Sequence, residues 1–286
     1  MSLLNIGCGT RFNKDWINID KISYSKDVIE CDLKKGIPFP DSYFDVVYHS
    51  NLLEHFSKAG AFFLLKECFR VLASGGIIRV AVPDLEEIIR LYLKSLGESR
   101  KGSKEWADNY EWILLEMYDQ TVRNKSGGEM LSYFLKENIT NEEFIIKRCG
   151  TEAKNLIEYG KRILQGNNTE DAIKKEIMFR FLKKIKQALF NKNILKEFLM
   201  KILLKKEYEA LQIGRFRLSG EIHQWMYDSY SLSKLLSSCG FINIIQRNAF
   251  DSYIKNWSRY CLDTETNGEV YKPDSFYMEA VKPEIK

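Results

Sequence analysis

The run Leu3-Leu4-Asn5-Ile6, followed at once by Gly7-Cys8-Gly9-Thr10, constrains this chain more than any other stretch. A short apolar run bounded by a turn reads as a fully buried strand. Two glycines one residue apart tolerate positive φ and carry no Cβ, so a ligand can press against the backbone there. In an open α/β sheet, the loop leaving the carboxyl end of the first strand is where nucleotide-like ligands sit. A Gly-x-Gly turn also closes loops that bind nothing, so the downstream partners decide its meaning.

Those partners follow in order. Trp16-Ile17-Asn18-Ile19-Asp20 is a second short strand ending in a carboxylate, which can accept two hydrogen bonds from a ribose diol. The interval from Gly9 to Asp20 is shorter than the about 20 residues of the standard dinucleotide fingerprint. The first crossover is therefore predicted to shrink to a turn, and a plain NAD site is disfavoured. Asp27 to Leu33 reads as a third strand ending at Asp32, whose carboxylate can take an adenine amino group while Leu33 covers the ring. Pro38 to Ser42 is a turn cluster, and Phe44 to Tyr48 a fourth strand running into His49-Ser50-Asn51-Leu52-Leu53-Glu54-His55. Apolar residues at 62, 65, 69 and 72 predict a helix, stopped by Ser74-Gly75-Gly76 acting as a glycine cap. Ile77 to Val82 is a fifth strand. Asp84, at its end, is either the N-cap of a helix through Leu96 or an acceptor-side ligand.

Strands and helices alternating at these lengths predict an α/β fold with a Rossmann-like, doubly wound, mostly parallel sheet. The pattern then stops, and 97–207 is expected to be a helical insert or lid. Helices are predicted over Glu105 to Tyr118 and Gly128 to Lys136. Residues 174–206 carry eleven Lys or Arg against two Glu, a local charge of +9 in a chain of net +4, so the remainder is about −5. Ile177, Phe181, Ile185, Leu189, Leu195, Leu199 and Ile202 recur there at helical spacing. This basic amphipathic segment is either a lid with a solvated basic face or a contact for an anionic surface or lipid-linked substrate. No base-stacking platform accompanies it, so nucleic acid is not an expected partner. The α/β pattern resumes at 208–286, with a helix from Tyr230 to Ser238, a strand from Phe241 to Gln246 and a closing strand from Ser275 to Val281. No crossover helix separates these last two strands, which are expected to pair antiparallel at the sheet edge.

The six cysteines are scattered without a C-x-x-C pair, which suits a reducing compartment. The first strand starts too early for a cleavable leader, and no uncharged apolar run reaches the ~20 residues that span a bilayer. The expected location is cytoplasmic, with peripheral contact at the inner membrane face through 174–206.

The ordered set Asn5-Ile6-Gly7-Cys8-Gly9, Asp20, Cys31-Asp32-Leu33, Phe44-Asp45-Val46-Val47 and Leu53-Glu54-His55 resembles class I S-adenosylmethionine-dependent methyltransferases. Arg70-Val71-Leu72-Ala73-Ser74-Gly75-Gly76 matches the helix end before that family's fifth strand. The L-E-H segment is similar to the type-11 branch, and Glu221 to Asp228 resembles a bacterial subgroup associated with surface polysaccharides. The resemblance implies seven strands with an antiparallel last strand and S-adenosylmethionine as cofactor. It places Asn5, Gly7 and Gly9 at the methionine part, Asp20 at the ribose, Asp32 and Leu33 at the adenine, and Ser50 and Asn51 near the sulfonium. Asn5 stands where many members have a carboxylate, and Thr10-Arg11 replaces a third glycine.

For methyl transfer to a hydroxyl, a base must take the proton near neutral pH, and histidine is the default. The three histidines are 49, 55 and 223. His49 lies at a strand end beside the expected methyl group, His55 at a helix start, and His223 where the chain returns from the insert. Each is a candidate base or a structural histidine. Arg215 and Arg217 are candidate clamps for an acceptor phosphate or carboxylate, with Trp225 and Tyr227 as further acceptor contacts. No His/Cys/Asp cluster has metal-ligand spacing along the chain, so no metal is expected. The leading expectation is O-methylation of a sugar or sugar-containing envelope precursor. The alternatives are methylation of a quinone, lipid or small metabolite at a membrane, and a non-catalytic cofactor-binding scaffold.

Overall fold

The structure, a computed structural model, describes residues 1–23, 25–164 and 192–284. The basic stretch up to residue 191, with Ile177, Phe181, Ile185 and Leu189, lies outside the described residues.

Seven strands form one sheet in the order β3-β2-β1-β4-β5-β7-β6. They are β1 (Leu3–Ile6), β2 (Ile17–Asp20), β3 (Val28–Glu30), β4 (Phe44–Ser50), β5 (Leu72–Pro83), β6 (Ile242–Arg247) and β7 (Ser275–Val281). The first five run parallel, and β7 lies antiparallel between β5 and β6. This is the expected Rossmann-like architecture, with the chain reversing beside β1, where such sheets open a crevice at their carboxyl ends. Every residue of β1 is buried, as its apolar run requires.

One face of the sheet carries α1 (Lys58–Val71) and α8 (Ser229–Ser238). Leu4, Ile6, Val47, Ile78 and Val80 from the strands pack there with Leu64, Leu65 and Cys68 of α1 and Leu232 and Leu236 of α8. Fully burying one such side chain contributes roughly 1.5–3 kcal/mol. The short β1–β2 connection has no helix, as its length predicted. The opposite face is covered by Trp16, Ile254, Trp257, Tyr260 and Leu262 packed on Leu3, Val46 and Tyr48.

That aromatic layer is anchored by a buried arginine. Arg79 of β5 donates from Nε to Asp263 Oδ2 (2.7 Å), from Nη1 to Glu279 Oε1 (2.8 Å), and to the carbonyls of Asp251 (3.0 Å) and Asn248 (2.7 Å). Tyr48 Oη donates to the other Asp263 oxygen at 2.6 Å. The guanidinium also lies 4.6 Å from the Trp257 ring centroid. A cation with no water access is stable only when its donors are engaged in this way.

The helix before β5 ends differently from the sequence expectation. It stops at Val71, and Leu72 is already extended. Ser74-Gly75-Gly76 therefore lies inside β5, not in a helix cap. The β4–β5 register slips there, from Phe44↔Leu72 to Val46↔Ile77, so the glycine pair forms an irregularity in the strand.

Beyond β5 come α2 (Leu85–Arg100), α3 (Lys104–Val122), α4 (Gly128–Phe134), α5 (Glu142–Leu164), α6 (Lys192–Leu204) and α7 (Glu207–Arg217). Asp84 caps α2 by accepting from Glu87 N at 3.1 Å, as expected. This helical region builds a second core from Ile88, Trp112, Ile113, Tyr133, Phe134, Ile145 and Ile157. Among the described residues, no helix is long and apolar enough to cross a membrane.

Candidate active site

The glycine loop turns immediately at the end of β1. Gly7 has φ +63°, and a Cβ there would stand 2.6 Å from Leu52 Cδ1. Gly9 has φ +54° and open space where a Cβ would project. Backbone hydrogen bonds tie the loop to β2. Gly7 N donates to the Ile19 carbonyl at 2.8 Å, and Gly9 N to Asp20 Oδ2 at 2.8 Å. Asp20 Oδ1 accepts from Ile22 N at 3.1 Å. Each carboxylate oxygen keeps further acceptor capacity. Asn5, buried beneath the loop, donates to the Arg11 carbonyl (3.2 Å) and to Asn18 Oδ1 (3.1 Å). A carboxylate at position 5 could make neither bond, which accounts for the amide.

A cleft of about 190 Å³ opens over this loop, lined by Asn5, Gly7, Gly9, Ser50, Asn51 and Tyr271 among others. Asp20 stands behind it through Gly9. Asp32 caps the short 3-10 turn Leu33–Lys35 by accepting from Lys34 N at 3.2 Å. Leu33 lies in the main core. Neither residue lines the cleft.

A second cavity, of about 380 Å³, lies between the sheet edge and the helical region. Its walls come from α3, α4 and α5, and its floor from Asn51, Pro83 and the segments around 54, 223 and 272. The two spaces share Asn51, Glu152 and Lys272. Asn51 adopts φ +47°, a conformation that asparagine tolerates better than most residues. Its N–H donates to the Ala81 carbonyl at 2.9 Å. Glu152 and Lys272 form an ion pair across the junction. Gly150, at φ +71°, kinks α5 where a Cβ would meet the Tyr271 carbonyl at 2.7 Å. That glycine lets the helix approach the loop bearing Lys272.

The polar floor of the second cavity is Glu54, His55 and His223. Residues 53–55 form a 3-10 turn, and the returning segment 222–225 docks on it. Gln224 N and Trp225 N both donate to the Glu54 carbonyl (2.7 and 3.2 Å), and His223 N donates to the Gln120 carbonyl (2.9 Å). Glu54 Oε1 lies 4.0 Å from His223 Nε2. The two imidazoles meet edge to face with centroids 4.8 Å apart, and His55 Nδ1 lies 3.2 Å from the Ile222 carbonyl. The Glu54 carboxyl is fully buried and neither oxygen has a hydrogen-bond partner. Burial pushes its pKa up to about 8. Burial also lowers His55, and burial followed by the neighbouring His55, Arg123 and Lys272 holds His223 well below the usual histidine range. Both imidazoles are therefore neutral near pH 7.

Charged side chains around the cavity have partners of their own. Glu116 contacts Arg148 at 2.7 Å, and burial pushes its pKa up to about 7. Arg123 lies 3.9 Å from Asp119 and 3.7 Å from Glu221.

The structure brings His55 and His223 together but leaves His49 apart. Strand alternation sends His49 to the same face as Val47, where it is fully buried with neither ring nitrogen hydrogen-bonded. It lines neither space, and burial lowers its pKa to about 4. The four acceptor contacts expected from sequence are also placed elsewhere. Arg215 pairs with Glu197 at 2.7 Å between α6 and α7. Arg217 donates to the carbonyls of Thr121, Val122 and Arg123 at the end of α3. Trp225 is a partly exposed ring beneath Lys58 Nζ. Tyr227 is buried in the main core, and its backbone bridges to Asp84. Conversely, sequence reasoning missed Glu54, Glu116, Gln120, Arg123, Glu152, Lys272 and Asp274 as cavity-lining residues. It also found no ligand spacing for a metal, whereas folding places Glu54, His55 and His223 with ligand atoms within 4.8 Å of one another.

Residues 8–80 match the family model described as a methyltransferase domain, of the type-11 group. No curated protein matches the chain. Solved structures similar to it include an S-adenosylmethionine-dependent methyltransferase from Archaeoglobus fulgidus, 11% identical, with 98% of this chain and 86% of that chain covered at a TM-score of 0.36. Another, from Thermotoga maritima, is 9% identical, with coverages of 98% and 82% and a TM-score of 0.36.

Proposed function

We propose that this S-adenosylmethionine-dependent methyltransferase, whose methyltransferase domain is matched over residues 8–80, passes a methyl group from the glycine-loop cleft to a hydroxyl of a sugar-containing acceptor in the adjoining cavity. The observation that carries this reading is the junction of the two spaces at Asn51, Glu152 and Lys272. A donor and an acceptor entering from opposite sides meet there, shielded by the helical region.

The loop fits the cofactor's methionine part because Gly9 leaves open space over its backbone. Asp20, already fixed by two N–H groups, would accept from the ribose. The bound cofactor supplies a methyl group already activated on sulfur. The protein's contribution is then alignment and exclusion of water, worth roughly 7–11 kcal/mol at the upper end.

The acceptor cavity falls within the ~300–1,000 Å³ of small-molecule sites. Its carboxylates, imidazoles and amides suit a polyhydroxylated ligand. Ile88, Met130, Leu131 and Phe134 supply an apolar wall for a sugar's C–H face. Peripheral membrane contact through 174–206 is compatible with a lipid-linked acceptor.

The test is incubation of the protein with methyl-labelled S-adenosylmethionine and a panel of sugar, nucleotide-sugar and lipid-linked sugar acceptors. Label recovered in an O-methyl sugar supports the reading. Transfer confined to a quinone or lipid lacking sugar would replace the acceptor class.

A further inference from the structure

Glu54, His55 and His223 have no partner set that explains their burial together. The Glu54 carboxyl is completely inaccessible, lines the larger cavity and accepts no hydrogen bond. Leaving a buried polar group unpaired costs roughly 1–3 kcal/mol. The backbone nevertheless fixes this cluster firmly, through Gln224 N and Trp225 N on the Glu54 carbonyl and His223 N on the Gln120 carbonyl. Positioning is therefore strong where side-chain satisfaction is absent.

We infer that these three side chains form a binding site for a divalent first-row transition ion of the zinc type, open to the acceptor cavity. Two imidazoles and one carboxylate are a donor set that such ions take, with remaining positions left for water or substrate. The contact of His55 Nδ1 with the Ile222 carbonyl (3.2 Å) is the outer-shell hydrogen bond that ligating histidines use to fix their tautomer, leaving Nε2 to bind. One ring nitrogen of each histidine and one Glu54 oxygen lie within 4.8 Å of one another. Bonds of about 2.0–2.1 Å at tetrahedral angles would bring them to about 3.3 Å apart. Side-chain rotations would have to close that difference. The nearby cations do not oppose the ion alone, since Arg123 is paired with Asp119 and Glu221, and Lys272 with Glu152.

The inference rests on the proposed acceptor cavity and gives it a chemistry. An acceptor hydroxyl bound to the ion is more acidic and loses its proton to water. Its oxygen then forms the new O–CH₃ bond as the C–S bond of the donor breaks, and that electron pair stays on sulfur.

The test uses the untagged full chain, stripped with a chelator and titrated with Co²⁺ followed by Zn²⁺. We expect one Co²⁺ per chain with visible ligand-field bands, displaced by Zn²⁺ and not by excess Mg²⁺. Glu54→Gln and His223→Asn should each weaken Co²⁺ binding by at least about tenfold, while S-adenosylhomocysteine binding reports that both variants are folded. Absence of Co²⁺ and Zn²⁺ binding by the wild-type chain would overturn the site. So would unchanged binding in both variants with a thiolate charge-transfer band, which would place the ion on cysteine. Metal binding without sugar methylation would leave this site standing and remove only the acceptor reading.

Discussion

Two buried polar clusters flank the same sheet, and they differ in how their atoms are used. Around Arg79, a cation donates to two carboxylates and two carbonyls at 2.7–3.0 Å, and the Tyr48 hydroxyl donates to one of those carboxylates. Around Glu54, a carboxyl and two imidazoles stand within reach of one another, yet both carboxyl oxygens lack hydrogen bonds. The first cluster holds the C-terminal aromatic layer on the sheet. The second lines a cavity. Both clusters are buried, and they differ in hydrogen bonding: complete around Arg79, absent at the Glu54 carboxyl.

The largest expected effect comes from breaking the satisfied cluster. Arg79→Met leaves Asp263 buried without a cation and Glu279 with Arg247 alone, and should cost about 3–5 kcal/mol of unfolding free energy in denaturant titration. A loss under about 1 kcal/mol would show that the network is dispensable.

His49 sharpens the contrast through pH, because it is buried and unpaired but faces no cavity. Between about pH 6.5 and 4 the unfolded chain binds its proton and the folded chain does not. Stability therefore falls as pH falls through that window, by about 3 kcal/mol once both forms are protonated. His49→Leu should remove this part of the acid sensitivity and leave methyl transfer unchanged. A pH–stability curve parallel to that of the wild type would contradict the assignment.

Asp20 stands between the two extremes, with two N–H donors and spare acceptor capacity. Asp20→Ala should weaken S-adenosylmethionine binding by about tenfold or more, from loss of roughly 1.5–3 kcal/mol of charge-assisted hydrogen bonding. Calorimetry would show it, and unchanged affinity would remove Asp20 from the ribose site. The smallest effect belongs to Arg215, whose ion pair with Glu197 is solvent-accessible. Arg215→Ala should leave stability nearly unchanged and acceptor KM unaltered. A raised KM would restore it as a clamp.

The sheet was legible in the chain because its signals are local. Leu3–Ile6, the two glycines, the short interval to Asp20 and the missing crossover before β7 each dictate a strand, turn or direction within a few residues. The larger cavity was not, because its members depend on how distant segments dock. Glu54 reads as the middle of a short L-E-H motif until residues 222–225 return to it. Arg217 and Tyr227 looked available for an acceptor, since nothing in their neighbourhood reveals that the end of α3 and the main core use them. The glycines after α1 match a cap pattern although the helix ends at Val71, because a helix stop and a strand irregularity both select glycine.

Denaturant unfolding of Glu54→Gln in the presence of a chelator tests the contrast most directly. Glutamine keeps the shape, and the carboxyl has no hydrogen bond to lose. The unfolding free energy should stay within about 0.5 kcal/mol of wild type or rise. A loss of about 3 kcal/mol or more, comparable to that of Arg79→Met, would mean that Glu54 is a structural group, and the division between the two clusters would fail.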